Sequence, residues 1–290
     1  MGPARHGRVV GLHSNPAKTT AMEVSVPALD WATHHRLWVL GIGVGVLIIA
    51  VAAGLWYFAL RSPGTQVDLR QALRLYRQGQ QGRSNRSPHL PPPGVYRYWT
   101  SGDEHLSLGG INRSFPDLTE MIVNESNCAT VKWAPLVEHV EGLVECPSAD
   151  GGVAMTSAMS DEHIAGIRTI ETVHCPMTAY LVPPDRSPGQ RWDATCQRPN
   201  GTVAFAGEVV GAASVTVGRR KIPALHTRVT LSYSGDESGV NPSDYWISMQ
   251  SGVILRQRET VDVAQENGPL GSVRYTEEMA LAIASTTPLR

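Results

Sequence analysis

The chain has almost no net charge. Its 25 Lys and Arg stand against 26 Asp and Glu in 290 residues, a formal total of −1, which taken whole argues against a charge-driven partner such as nucleic acid. Charged residues make up only 18% and apolar ones 42%, so neither a heavily disordered nor a collagenous chain fits, and nor does a many-pass membrane protein. Lysine is rarest among the charges, 3 against 22 arginines, a skew that reflects the codon bias of a GC-rich genome and says nothing of mechanism. At ~150 residues per domain the length fits one large domain with extras, or two small ones.

Signatures of catalysis are missing too. No GxSxG, SxxK, HExxH, GxGxxG or GxxxxGK[ST] occurs, which removes the sequence support for hydrolase elbows, zincins, Rossmann domains and P-loops. The histidines after residue 93, namely His105, His139, His163, His174 and His226, are scattered, and His174 with Cys175 makes a ligand pair only if the cysteine is free. Structural roles are expected for all five. The triplet DEH occurs at 103–105 and 161–163, where carboxylate and imidazole side by side could serve acid-base work. On a strand Asp and His would share one face with Glu on the other. The expectation is nonetheless two solvated turns, with no catalytic, metal or cofactor site and no enzyme activity.

One long apolar run is present. Residues 37–60, LWVLGIGVGVLIIAVAAGLWYFAL, are 24 uncharged positions. As a helix at ~1.5 Å per residue they span ~36 Å, enough for a hydrocarbon layer of ~30 Å. Arg36 and Arg61 close the run, and Trp38, Trp56 and Tyr57 stand where interfacial aromatics belong. Ala50-Val51-Ala52 fits a signal-peptidase rule, but the run continues eight residues beyond it, so an uncleaved anchor is the better reading. Arg70, Arg74 and Arg77 beyond Arg61 weakly favour an inside location for the C-terminal domain. The cysteines argue the opposite: Cys128, Cys146, Cys175 and Cys196, an even number without CxxC spacing, are what two disulfides in an oxidising compartment look like. The chain is therefore expected in the cell membrane as a single-pass protein with its N-terminus cytoplasmic and its C-terminal domain extracytoplasmic. Of three pairings, Cys128 with Cys146 and Cys175 with Cys196 is preferred, because each closes a short loop between neighbouring strands.

The expected organisation is a cytoplasmic tail (1–36), the anchor (37–60), an Arg- and Pro-rich linker (61–93) and an outer domain (94–290). Within the linker, VDLRQALRLYRQ (67–78) reads as a short helix, either lying with its arginines on anionic headgroups or simply solvated. From Gly94 onward, short runs rich in Val, Ile, Thr, Tyr and Trp alternate with Gly, Pro, Asn, Asp and Ser clusters, an all-β pattern. Strands are expected at 95–100, 119–123, 129–133, 167–175, 191–196, 202–210, 213–217, 224–233 and 272–283, and in the ambiguous stretch 135–146. A hairpin is expected with strands at 244–250 and 253–263 joined by Ser251-Gly252.

GVYRYWTSGDEHLSLGG, the turn RSFPD, NCATVKW with a cysteine some 18 residues on, and DYWISMQSGVILRQRE together resemble uncharacterised actinobacterial single-pass membrane proteins. Their outer domain is similar to the half-open β-barrel of lipoprotein carriers (LolA-like). The resemblance spans about residues 94–284 and implies a curved antiparallel sheet that cups a lipid or other apolar ligand. Those carriers rely on covering helices, and none is evident after residue 93. The alternatives are a protein-interaction or envelope-sensing module, and a hydrolase without a recognisable motif.

The near-zero net charge divides unevenly. Residues 1–93 hold 10 Lys and Arg against 3 Asp and Glu, and residues 94–290 hold 15 against 23, or +7 and −8. The expected partners are thus the lipid bilayer through residues 37–60 and an apolar ligand, with nucleic acid excluded by the acidic outer domain.

Overall fold

A computed structural model describes residues 49–51, 64–79, 89–164, 167–268 and 271–290. The chain divides into two units, Met1–Gly54 and Leu55–Arg290. In the first, residues 49–51 are helical, with Ile49 and Val51 exposed. The rest of the expected anchor, including Arg36, Trp38, Trp56, Tyr57 and Arg61, lies outside the described residues. Among the described residues no helix is long and apolar enough to cross a membrane.

The second unit is a single antiparallel sheet of fourteen strands. They are β1 (Gly94–Leu106), β2 (Ile111–Ser114), β3 (Leu118–Glu125), β4 (Ala129–Leu136), β5 (His139–Pro147), β6 (Val153–Ile164) and β7 (Ile167–His174). Then come β8 (Tyr180–Val182), β9 (Arg191–Arg198), β10 (Gly201–Val217), β11 (Arg220–Gly235), β12 (Glu237–Ser248), β13 (Ile254–Gly268) and β14 (Gly271–Ile283). The order β14-β13-β12-β11-β10-β9-β7-β6-β5-β4-β3-β1 is closed by a β1–β14 ladder running from Tyr98↔Ile283 to Leu106↔Tyr275. With β2 paired to the end of β1 and β8 to the start of β6, the other twelve strands form a ring. The sheet is all-β and curved as expected, but ring-like rather than half-open. The physical reason is local. At Gly102 (φ +134°) β1 lies so close to β14 that a Cβ would stand 1.9 Å from the Glu278 carbonyl oxygen, so only glycine lets the two strands meet there.

The expected strands are present but longer. Residues 202–210 and 213–217 belong to one strand, β10, because Gly211 carries a β-bulge instead of a turn. Residues 139–147 are indeed strand. The hairpin at 251–252 has a wider connection: β12 ends at Ser248 and β13 begins at Ile254, with Gly252 at φ +69°. Three strands have no counterpart in the sequence reading, namely β2, β6 and β8. Half of β6 is Ala, Ser, Asp and Glu, weak strand formers that pairing with β5 and β7 holds in place.

A helix does form in the segment read as linker. α1 (Leu69–Gly79) is capped by the Asp68 carboxylate, which accepts from the Gln71 N–H at 2.7 Å. Its Ala72 and Tyr76 are buried against Val95, Ile122 and Ala134 on the outer face of the sheet. The apolar stripe therefore serves the domain and is not available to lipid, while Arg70, Arg74 and Arg77 remain exposed. Alternation divides β1 accordingly: Val95 faces α1, whereas Tyr96 and Tyr98 point into the ring core with Met121, Trp133, Phe205 and Leu281. The Tyr98 hydroxyl spans that core to donate to the Ile254 carbonyl at 2.6 Å.

Both disulfides pair as expected, Cys128 with Cys146 and Cys175 with Cys196. They sit in different settings. The first joins β4 and β5, which are already laddered from Ala129↔Glu145 onward. The second bridges the sparsest junction in the ring, where β7 and β9 share one register pair, His174↔Gln197.

Candidate functional site

Inside the ring lies a cavity of about 120 Å³. Its wall is apolar over most of its extent, with Val131, Trp133, Leu143, Leu181, Val229 and Leu281 among the lining residues. Met121, Met155, Met159 and Met279 also line it, half of the 8 methionines in the chain. A cavity of ~150 Å³ accepts a benzene-sized guest, so the rigid volume here suits a ring or a short alkyl segment. Four flexible thioether side chains let the wall adapt to something longer. At its apolar end β8 contributes Leu181, whose carbonyl accepts from the Thr227 hydroxyl.

The other end is polar and acidic. Glu141, Glu171 and Glu259 line the cavity there with Ser160, Tyr233, Asn241, Ser243 and Gln257. Glu259 accepts from Asn241 Nδ2 at 2.6 Å and Gln257 Nε2 at 2.7 Å. Burial, and then the Glu141 charge, push its pKa up to about 7. Arg198, its side chain 3% exposed, contacts Glu171 at 2.7 Å, Glu237 at 2.5 Å and Asp236 at 2.5 Å, and its guanidinium lies over the Tyr233 ring. Its two terminal nitrogens are thus held by carboxylates of β7, the β11–β12 connection and the start of β12, while Nε has no hydrogen-bond partner.

Behind this end, β1, β2, β5 and β14 bury a second set of charges. Glu104 ion-pairs with Arg113 Nε at 2.6 Å and accepts from His139 Nδ1 at 2.9 Å and from the Tyr275 hydroxyl at 2.9 Å. Tyr275 also reaches Glu277 at 2.5 Å. His139 Nε2 faces Glu141 at 3.5 Å and Glu277 at 3.9 Å, and the imidazole is fully buried, edge-on to Phe115 and Trp133. Burial alone would raise Glu104, but the bond from His139 and the charges of His139 and Arg113 hold its pKa below the usual value. Burial would lower His139, yet Glu104, Glu141 and Glu277 together raise it well above 6.5. Burial and the charge of Glu141 raise Glu277 well above its usual range.

Both DEH triplets contribute to this end, and neither is a solvated turn. They lie on β1 and β6. The alternation expected of a strand holds at 103–105: Glu104 is buried, while Asp103 is exposed and His105 half-exposed, His105 meeting Asn112 at 2.6 Å. At 161–163, Asp161 pairs outward with Arg168 and Glu162 is half-buried, its pKa raised by burial. Among the described histidines only His139 joins the buried cluster. His226 stacks on Trp246 and bonds Asp244, His163 and His174 are exposed, and Cys175 is oxidised, so no His-Cys ligand pair exists. In the β12–β13 hairpin, Trp246 and Arg256 are register partners with the guanidinium over the indole ring, which accounts for that motif as packing. The sequence carried one usable signal for the buried cluster: inward Glu104 follows from the period-two alternation of β1. Its partners come from strands far away in the chain.

No family model matches the chain, and no curated protein matches it. Among solved structures, the crystal structure of the hypothetical lipoprotein YmcC from Escherichia coli (K12) is similar at 12% identity over 78% of this chain and 100% of that one, with a TM-score of 0.29. A likeness at that level carries no argument for function.

Proposed function

We propose that the chain is a membrane-tethered extracytoplasmic domain that holds a small apolar molecule, or the apolar tail of an envelope lipid, inside its ring, without catalysis. The observation that carries this is the methionine-rich apolar cavity, edged by carboxylates at one end. Two disulfides fit an oxidising compartment, and the uncharged run 37–60 supplies the tether. Pairing of β1 with β14 also removes two edges that a strand-adding partner could use, which favours ligand holding over partner recruitment.

The acidic rim sets a preference. A guest with a neutral or amine head fits Glu141, Glu171 and Glu259, whereas a carboxylate head would be repelled. Native mass spectrometry of the full chain released from its own membrane tests the reading: one apolar adduct per chain, recovered by solvent extraction, is the expected result. A chain that carries none, and takes up neither hexanol nor hexylamine when these are added, overturns it.

A further inference from the structure

The chain joins the sheet at a fixed place. The Thr65 N–H donates to a Glu138 carboxylate oxygen at 2.7 Å, and the Val137 N–H donates to the Thr65 carbonyl at 2.7 Å. Gln66 forms a bridge with Leu136 and donates from Nε2 to the Leu118 carbonyl at 3.0 Å. Thr65 comes five residues after Leu60, the last of the uncharged run 37–60, and five residues reach at most ~18 Å. A run that spans a bilayer therefore delivers this part of the sheet close to the headgroups. What is exposed around the entry suits that surface. Trp99 on β1, 59% exposed, is the register partner of Leu118, the residue that Gln66 holds. Val137, 49% exposed, stands beside Thr65 in the β4–β5 turn. α1 begins four residues after Thr65, turns Arg70, Arg74 and Arg77 outward with exposed Leu75 among them, and contains no acidic residue. Asp68, just before it, is engaged as its cap. Among the described residues none of the three arginines has an ion-pair partner.

We propose that the outer wall bearing α1, Trp99 and the β4–β5 turn docks on an anionic phospholipid surface, so that the ring is seated against the bilayer and not held away from it. The inference rests on the reading of residues 37–60 as a membrane span. Residues 94–290 carry a charge of −8 and are repelled by anionic lipid as a whole, so the arginine face of α1 decides which side of the ring approaches. Its guanidinium groups match phosphate oxygens, the Trp99 indole belongs at headgroup depth, and Val137 and Leu75 add shallow apolar contact. A merely solvated helix would explain the arginines but not the exposed tryptophan and valine beside the entry. No rearrangement is needed, because the apolar side of α1 stays on Val95, Ile122 and Ala134.

The test uses the full chain in phosphatidylcholine nanodiscs with and without phosphatidylglycerol, a gadolinium-chelate lipid as headgroup relaxant, and a nitroxide on Leu75→Cys. The four native cysteines are paired, so the introduced thiol is the one that takes the label. With phosphatidylglycerol present, the label at 75 should relax several-fold faster than one on Val210→Cys, an exposed position of β10 across the ring. That excess should fall about twofold or more in pure phosphatidylcholine and in Arg70→Gln/Arg74→Gln/Arg77→Gln, whose altered side chains are all exposed and leave the fold unchanged by circular dichroism. Equal relaxation at 75 and 210, or an excess at 75 indifferent to phosphatidylglycerol or to the arginine substitutions, overturns the proposal. Alkaline carbonate separates the two readings. A chain that it strips from membranes loses the span and this proposal together, whereas a chain that resists it but relaxes equally at both labels loses the docking face alone.

Discussion

Removing the Cys175–Cys196 bridge should do more than remove a crosslink. On loop length alone the two disulfides are nearly equivalent: sequence separations of 21 and 18 residues correspond to ~3.3 and ~3.2 kcal/mol of unfolded-state entropy. Replacing either pair by alanine should therefore cost about 3 kcal/mol in urea unfolding of the full chain. Their surroundings separate them. β4 and β5 stay laddered to each other without Cys128–Cys146, while β7 and β9 share one register pair beyond their bridge. Without Cys175–Cys196, β7 keeps its ladder to β6 but is tied to β9 by that one pair and the Arg198–Glu171 ion pair alone. Hydrogen exchange should then rise across residues 167–174 in the Cys175→Ala/Cys196→Ala variant, below the global unfolding free energy, and not across 129–147 in the Cys128→Ala/Cys146→Ala variant. Because Val173 and Glu171 line the cavity, the same opening should speed exchange of any guest. Equal exchange patterns in the two variants, or no rise in 167–174, would refute the view that the second disulfide staples the ring.

Gly102→Ala places a Cβ against the Glu278 carbonyl at a positive φ, and should cost ~2–4 kcal/mol by thermal denaturation, through strain and through loss of the β1–β14 closure. Glu145 is buried, and desolvation raises its folded-state pKa to about 8, above an unfolded value near 4.3. The folded chain thus binds the extra proton, and this group's contribution, full below pH ~4.3, falls by up to ~1.4 kcal/mol per pH unit and is lost as pH rises through 8. Glu145→Gln should accordingly match the wild type near pH 5 and melt higher than it at pH 8, and equal melting temperatures at both would contradict that placement. Arg113→Leu leaves Glu104 buried with only a histidine and a tyrosine for support and should cost ~3–5 kcal/mol, the usual penalty for breaking a buried ion pair, whereas outer-face Arg168→Leu should cost under ~1 kcal/mol.

Much of the fold was legible because β-structure built on alternation is local. Gly94–Thr100, Ala129–Trp133 and Ser272–Ile283 carry their inward and outward faces in the order of their residues, and each is a strand. The disulfides were legible for the same reason, since each links consecutive strands of the ring. Closure was not. The ladder between β1 and β14 joins residues some 180 positions apart, and its enabling residue, Gly102, reads in sequence as a turn-former in SGDEH. β6 was hidden by its polar composition, and α1 was visible as a helix while its docking partners, Val95, Ile122 and Ala134, gave no local sign. The acidic end shows the same limit more sharply. Glu104, Arg113, His139, Tyr275 and Glu277 come from four strands, and nothing in the spacing of one indicates the others.

The claim that the ring holds an apolar guest is tested most directly at the cavity wall itself. In the full chain with carbon-13-labelled methionine methyls, in lipid nanodiscs, titration with hexanol should shift the resonances of Met121, Met155, Met159 and Met279 saturably, with Met177 and Met249 unmoved. Ala158→Leu, which fills the cavity from β6, should abolish those shifts while leaving the remaining spectrum intact. Shifts that never saturate, that spread equally to Met177 and Met249, or that survive Ala158→Leu would contradict a binding cavity and leave the ring a packed structural domain.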